Sequence, residues 1–309
     1  MQRDAYIAAI LARCTSLQEG GFWPPEPTLR PRAWLHNFPD QHRLAAAVLL
    51  DQFIYYADHL TDRLLRAAVA ETLQFLSGRD ISISTTLDAV KRYLQAAAIS
   101  PVEGEAPSPA DSGNLICRRI RNLFELPDAA IVAPAQAVER ALSGSSVILT
   151  DDFLGSGEQL VRHWRRSYPT NGRQLSLEQA YAVRPFQATY LCLAATTYGL
   201  DRIRREGLPL RVCFAHELGA EYDIRNLANP NLLRWFPDVR RDVSALLDDW
   251  APRLQLDPYM RQDDFDRYGF HSLGLTVGFE HSPCPDATLP IYWAPSGTPD
   301  YVPLVVRRP

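Results

Sequence analysis

The segment Val147-Ile148-Leu149-Thr150-Asp151-Asp152-Phe153-Leu154-Gly155-Ser156-Gly157-Glu158-Gln159 constrains the fold more than any other stretch of the chain. An apolar run over 146–150 predicts a buried strand, and it ends in two adjacent carboxylates. A Gly/Ser loop follows, and a helix begins near Glu158. Strand, loop and helix in that order predict one unit of an α/β fold with a parallel sheet. In such folds ligands sit in the crevice beyond the carboxyl ends of the strands. Backbone amides of a Gly/Ser loop at a helix N-terminus suit a phosphate dianion. Asp151 and Asp152, just before that cradle, suit vicinal hydroxyls or a divalent cation. A sugar 5-phosphate with free hydroxyls satisfies both halves. The bland alternative is an ordinary strand-to-helix turn in which the acids only cap the helix.

The rest of the chain extends the pattern. Helices are predicted over 2–17, 87–97, 115–124, 135–142, 158–166, 197–206 and 238–254, and strands over 146–150, 189–195, 210–214 and 272–279, with further strands at 289–293 and 302–305. The Pro- and aromatic-rich segment 22–39 predicts a packed, non-helical wrap. Residues 40–76 carry apolar residues at three-to-four spacing, which predicts two helices with a break near 57–61. The domain organisation expected is a helical N-terminal unit over 1–80 and an α/β core over 81–309 that ends in further strands.

Composition narrows the function classes. The hydrophobic fraction is 46% and the charged fraction 22%, within the range of soluble globular domains. No apolar run is long enough to span a bilayer, and Met1–Arg13 has no uninterrupted apolar core, so a cytoplasmic protein without membrane attachment is expected. A net charge of −4 argues against a general nucleic-acid coat and leaves room for a local basic patch. Lys91 is the single lysine, so a buried anion site must rely on Arg, backbone amides or helix ends. The five cysteines show no C-x-x-C spacing and read as reduced thiols.

Other familiar motifs fail. No Gly-Lys-Ser/Thr follows a glycine loop, so there is no P-loop. Gly155-Ser156-Gly157 lacks the spacing of a nucleophile elbow. His216-Glu217 begins like a zinc-protease motif, but Ala220 stands where the second histidine belongs. His281 and Cys284 make half a metal site with no second pair.

The 147–159 segment resembles the ribose-phosphate motif of the type I phosphoribosyltransferases, in which an apolar strand and two acids lead, after a short spacer, into Thr-Gly-x-Thr. Asp151 and Asp152 match the acids, Ser156 and Gly157 the Thr-Gly pair, and Gln159 the final Thr. Gly155 falls where purine-salvage members carry an acidic base. A narrower resemblance, over roughly 20–309, is to the phosphoribosyltransferase-like group of bacterial conflict and antiphage systems. It is carried by Pro101–Gly113, by the following helix with Arg118, Arg119 and Arg121, and by Leu289-Pro-Ile-Tyr-Trp293 with Pro303-Leu304.

These resemblances imply an α/β fold with a parallel-sheet phosphoribosyltransferase-like core. They imply a 5′-phosphate loop formed by Leu154, Gly155, Ser156, Gly157, Glu158 and Gln159. A pyrophosphate loop would involve Glu103, Asp111, Ser112 and Gly113. Asp151, Asp152, Arg118 and Arg119 become the candidate catalytic residues, with Mg²⁺ as the cofactor held by Asp151 and Asp152. The ligand implied is phosphoribosyl diphosphate or a nucleotide, and the reaction transfers or cleaves the ribosyl–base bond within a defence system that includes protein partners. Two other functions stay open: a nucleotide-sensing subunit of an immune assembly without turnover, and a carboxylate–metal nuclease that would add Glu217 or Glu221 to the acid pair.

Overall fold

The computed structural model describes every residue except 78–82, 105–106, 109–110, 257–263, 283, 297 and 307–309, and only the backbone of 73–77 and 83–87. In chain order the helices are α1 (Arg3–Glu19), α2 (Pro31–His36), α3 (Asp40–Gln52), α4 (Asp58–Ser77), α5 (Ile83–Ala96), α6 (Ser112–Leu123), α7 (Pro134–Leu142), α8 (Glu158–Arg165), α9 (Leu177–Val183), α10 (Thr197–Arg205), α11 (Pro230–Trp235) and α12 (Val239–Trp250). The strands are β1 (Ile54–Tyr56), β2 (Ala98–Pro101), β3 (Val147–Thr150), β4 (Phe153–Leu154), β5 (Tyr168–Thr170), β6 (Arg173–Leu175), β7 (Ala188–Thr196), β8 (Arg211–Leu218), β9 (Phe265–Asp266), β10 (Gly269–Phe270) and β11 (Val277–Phe279). No helix among the described residues is long and apolar enough to cross a membrane.

The chain groups into two compact units, Met1–Asp58 with Gly219–Pro309, and His59–Leu218. The sequence places its boundary at residue 80 instead, because nothing local signals that the C-terminal segment rejoins the N-terminal helices. Within the first unit the aromatic wrap is packed as expected, with Trp34 and Phe38 fully buried. The Trp34 indole N–H donates to the Ile291 carbonyl (2.9 Å), and the Tyr292 hydroxyl donates to that of Leu49 (2.8 Å). Two expectations need correction here. The wrap contains a helix, α2, which Pro31 can open because the first helical residue has no intrahelical use for its N–H. Residues 54–56 form a strand rather than a helix. β1 pairs in parallel with β11, and Tyr56 stacks on Phe279 with ring centroids 4.7 Å apart.

The second unit holds an α/β fold built on a parallel sheet. β2 pairs with β3, β3 and β4 pair with β7, and β7 pairs with β8, all parallel. Every residue of β2, β3 and β7 is buried, as expected for strands covered on both faces. α7, α8 and α10 supply one apolar layer through Val138, Val161, Trp164 and Ile203. The register reveals more than the strand assignment. Thr150 faces Leu191 and Phe153 faces Ala194, so β3 and β4 keep one register along β7 across the two residues between them. Those two residues are Asp151 and Asp152. The Asp151 N–H donates to the Leu191 carbonyl (3.2 Å), and the Asp152 carbonyl accepts from the Leu193 N–H (2.9 Å). The acids therefore ride on the strand line instead of lying in a loop beyond its end.

Candidate functional site

β2 leaves the sheet just before the acids, where the Val102 N–H donates to the Thr150 carbonyl (2.9 Å). The space it vacates is taken by the first turn of α6. A Cβ on Gly113 would lie 2.9 Å from the Thr150 carbonyl oxygen and 3.0 Å from that of Val102, so only glycine permits this approach. Ser112, beside it, donates its hydroxyl to Asp151 Oδ1 at 2.5 Å. The same oxygen accepts the backbone N–H of Asp152 at 2.9 Å. Asp151 Oδ2 accepts the side-chain amide of Gln159 at 3.2 Å. Both acids are buried, at 4% and 6% exposure. Burial, reinforced by the charge of Asp152, pushes the Asp151 carboxyl well above the usual carboxylate range, while the Ser112 hydrogen bond opposes that rise.

The Gly155–Gly157 loop is shaped from α10. The Thr196 hydroxyl donates to the Gly155 carbonyl (2.5 Å) and accepts the Gly199 N–H (2.8 Å), so one side chain caps α10 and turns the loop carbonyl toward it. Gly157 adopts φ +78°, a left-handed conformation that favours glycine, and α8 starts on the next residue. The N–H groups of Gly155, Ser156 and Gly157 take no part in the backbone hydrogen bonds among the described residues. The Ser156 hydroxyl accepts the Glu158 N–H (3.3 Å). Successive unengaged amides at a helix N-terminus form an anion cradle. Glu158, the first residue of α8, pairs with Arg162 and with Arg202 Nη1 (3.4 Å), which offsets its carboxylate beside that cradle. The Phe153 ring explains the glycine at 155, because a Cβ there would lie 2.8 Å from it.

The residues expected in a second anion loop have other engagements. The Glu103 carboxylate accepts the Tyr168 hydroxyl (2.7 Å) and pairs with Arg166 Nη1 (3.3 Å). Its N–H donates to His163 Nδ1 (3.2 Å), and Arg166 also donates to the Gly104 carbonyl (2.8 Å). At the far end of the loop Asp111 accepts the Ser108 N–H (3.1 Å) and caps no amide of α6 with its side chain. Residues 105–106 and 109–110 of this loop lie outside the described residues. Arg119 pairs with Asp62 of α4 (3.1 Å), and Arg118 is exposed on the second turn of α6. The structure thus brings together Ser112, Gly113, Asp151, Asp152 and Gln159. It directs Glu103 and Arg119 to other partners.

Sequence reasoning did not find Thr196, Arg202, His163, Arg166 or Tyr168. Thr196 carried a signal, since a Thr before a predicted helix is a cap candidate. The others act through contacts far apart in the chain and left none.

No group of three or more His, Cys, Asp or Glu side chains converges into a metal site among the described residues. Asp151 and Asp152 are adjacent buried carboxylates, and a carboxylate is a ligand type common to hard divalent cations. Glu217 sits exposed near the end of β8, where it accepts the Thr197 hydroxyl (3.4 Å). All five cysteines are buried thiols outside any disulfide.

Comparison with known proteins gives a family match. The model of the family described as PRTase-CE matches residues 31–307. No curated protein matches the chain. Among solved structures, the AQ2163 protein from Aquifex aeolicus aligns at 10% identity with a TM-score of 0.28, covering 50% of this chain and 84% of that one. Overlap that weak carries no functional argument.

Proposed function

We propose that this chain, which belongs to the PRTase-CE family, binds a 5-phosphoribosyl ligand at the carboxyl edge of β3 and acts as a phosphoribosyltransferase-like component of a bacterial defence system. The observation that carries the reading is the set of unengaged amides of Gly155, Ser156 and Gly157 next to two buried acids. A phosphate dianion in the cradle places the attached sugar beside Asp151–Asp152, whose carboxylates accept from hydroxyl groups and never donate when ionised. Mg²⁺, when bound by an acid of this pair and by ligand oxygens, neutralises diphosphate charge. The protein's own part is to hold the phosphate with amides, orient the sugar through the acid pair, and keep both under fixed dipoles as charge develops at the anomeric carbon. Gly155 carries no acid, and a Cβ there would displace the Phe153 ring (2.8 Å), so proton transfer from an incoming base is not assigned to that position.

A second reading, a nucleotide sensor without turnover, draws support from the engagements of Glu103 and Arg119. A transferase needs to hold diphosphate as well as the 5′-phosphate, whereas a sensor needs only one anion site.

Calorimetry with phosphoribosyl diphosphate, with and without Mg²⁺, tests the common core of both readings. Asp152→Asn keeps the side-chain size and removes the charge. Loss of one charge-assisted contact costs about 1.5–3 kcal/mol, or roughly ten- to a hundredfold in affinity. Affinity unchanged in Asp152→Asn would return the acids to a capping role. Pyrophosphate release by the wild-type protein in the presence of bases or nucleotides separates the transferase from the sensor.

A further inference from the structure

We propose that the outer faces of α8 and α10 form a track for single-stranded nucleic acid, in which Arg162, Arg202 and Arg205 hold backbone phosphates and Tyr198 stacks on a base. The track goes beyond the phosphoribosyl reading of the Gly155–Gly157 loop and does not depend on it.

Positive charge is concentrated in one stretch of the chain. Residues 158–211 carry nine arginines and four acids, a surplus of five positive charges, whereas the whole chain has a net charge of −4. Helical spacing gathers part of that surplus on one surface. In α8 the buried residues are Leu160, Val161, His163 and Trp164, which leaves Glu158, Arg162 and Arg165 together on the outer face. In α10 Gly199, Leu200 and Ile203 are buried, and Tyr198, Arg202 and Arg205 share the opposite face. The two outer faces adjoin. Arg202 Nη1 reaches Glu158 (3.4 Å), and Arg165 Nη1 reaches Glu206 (3.0 Å), the residue after α10.

Ion pairs within this surface leave positive charge over. The single carboxylate of Glu158 serves both Arg162 and Arg202. Arg205 is exposed, and its Nε donates to the Asp201 backbone carbonyl (3.4 Å). A guanidinium fits phosphate bidentately and is weakly hydrated, so such a row suits a polyanion. Tyr198 decides which polyanion. It is 39% exposed, one turn from Arg202 on the same face. An aromatic ring beside a row of cations binds unpaired bases together with their phosphates. A duplex buries its base faces, and an acidic peptide has none.

The test is fluorescence anisotropy with labelled oligothymidylate and oligouridylate, from about 50 to 200 mM salt, beside calorimetry with ribose 5-phosphate. Three phosphate contacts predict a slope of log affinity against log salt of about −2, a roughly twentyfold loss over that range. Arg162→Gln with Arg205→Gln is expected to reduce the slope to about −0.7. Arg121→Gln with Arg140→Gln removes the same charge beside the Asp128–Ala130 turn and is expected to leave the slope unchanged. Tyr198→Ala is expected to weaken binding about five- to a hundredfold at an unchanged slope, and Tyr198→Phe to retain the affinity. No binding of either strand by the wild-type protein, or equal slopes in the two arginine pairs, overturns the track. So does a duplex or polyglutamate that binds as tightly as the strands, or a Tyr198→Ala protein with wild-type affinity. Binding of ribose 5-phosphate without binding of either strand removes the track and leaves the phosphoribosyl reading standing, and the reverse result supports the track alone.

Discussion

Lowering the pH from 6.5 toward 3 is expected to destabilise the protein by about 3–5 kcal/mol through one residue, His163, and His163→Asn is expected to remove most of that slope. The ring is fully buried, and burial, with the nearby charge of Arg166, depresses its pKa from 6.5 to about 3. The Glu103 N–H donates to Nδ1, which fixes that atom as the acceptor and leaves the proton on Nε2, where no hydrogen-bond partner lies among the described residues. An unfolded chain takes up a proton on this histidine below pH 6.5, while the native state resists until about 3. The stabilisation is thus complete above 6.5 and drains away as the pH falls through that window. In His163→Asn the amide oxygen can accept the Glu103 N–H, so the anchor of the loop persists while the titrating group is gone. The variant pays for its smaller side chain at all pH values. The diagnostic is the change in slope, read from thermal unfolding between pH 7 and 4. Equal slopes in the two proteins would show that His163 does not control acid stability. Asp151 acts in the opposite sense: its raised pKa costs stability as the pH climbs from the ordinary carboxyl value of 3.8 toward the raised one, so the two groups oppose each other where their ranges overlap.

The strand, acids, loop and helix at 147–159 were legible because every cause is local. An apolar run, a left-handed glycine and a helix start are properties of neighbouring residues. The boundaries of β3 and α8 fall within a residue of those predicted from the sequence. The continued register through Asp151 and Asp152 was not legible, since it depends on β7, some forty positions away. Distance along the chain also hid β1. Phe53, Tyr55 and Tyr56 satisfy helical spacing as readily as strand alternation, and the partner that decides between them, β11, begins at Val277. One element was missed although its signal was present. Asn171 and Gly172 both have positive φ, +49° and +76°, and join β5 to β6. An Asn-Gly pair between short runs of strand-forming residues is the usual mark of such a hairpin. The clamp on Glu103 shows the remaining limit. Side chains such as His163, Arg166 and Tyr168 can be read as core, surface or ligand-binding until the loop they hold is seen beside them.

Gly199→Ala is expected to destabilise the protein by about 1–3 kcal/mol and to weaken anion binding at the Gly155–Gly157 loop, although helix propensity alone would favour alanine by about 1 kcal/mol. Gly199 lies in the first turn of α10 and has no left-handed φ to protect. Its constraint is space. A Cβ there would fall on the Gly155 carbonyl oxygen, well inside van der Waals contact, with Leu154 Cγ and Thr196 Oγ1 each at 3.2 Å. The Gly155 carbonyl cannot simply swing away, because the Thr196 hydroxyl holds it at 2.5 Å and is itself tied to the Gly199 N–H. Relief requires α10 to tilt or the loop to shift, and a shift turns the amides of Gly155, Ser156 and Gly157 out of the arrangement that makes them a cradle. Gly207→Ala, beyond the other end of α10, provides the contrast. Its φ of +66° carries a backbone penalty for alanine, but no atom lies within 4 Å of the added Cβ. Both variants should lose stability in denaturant titrations, and only Gly199→Ala should lose affinity for ribose 5-phosphate. A Gly199→Ala protein more stable than wild type would mean that the loop yields without cost and that the contact between α10 and Gly155 does not shape the cradle.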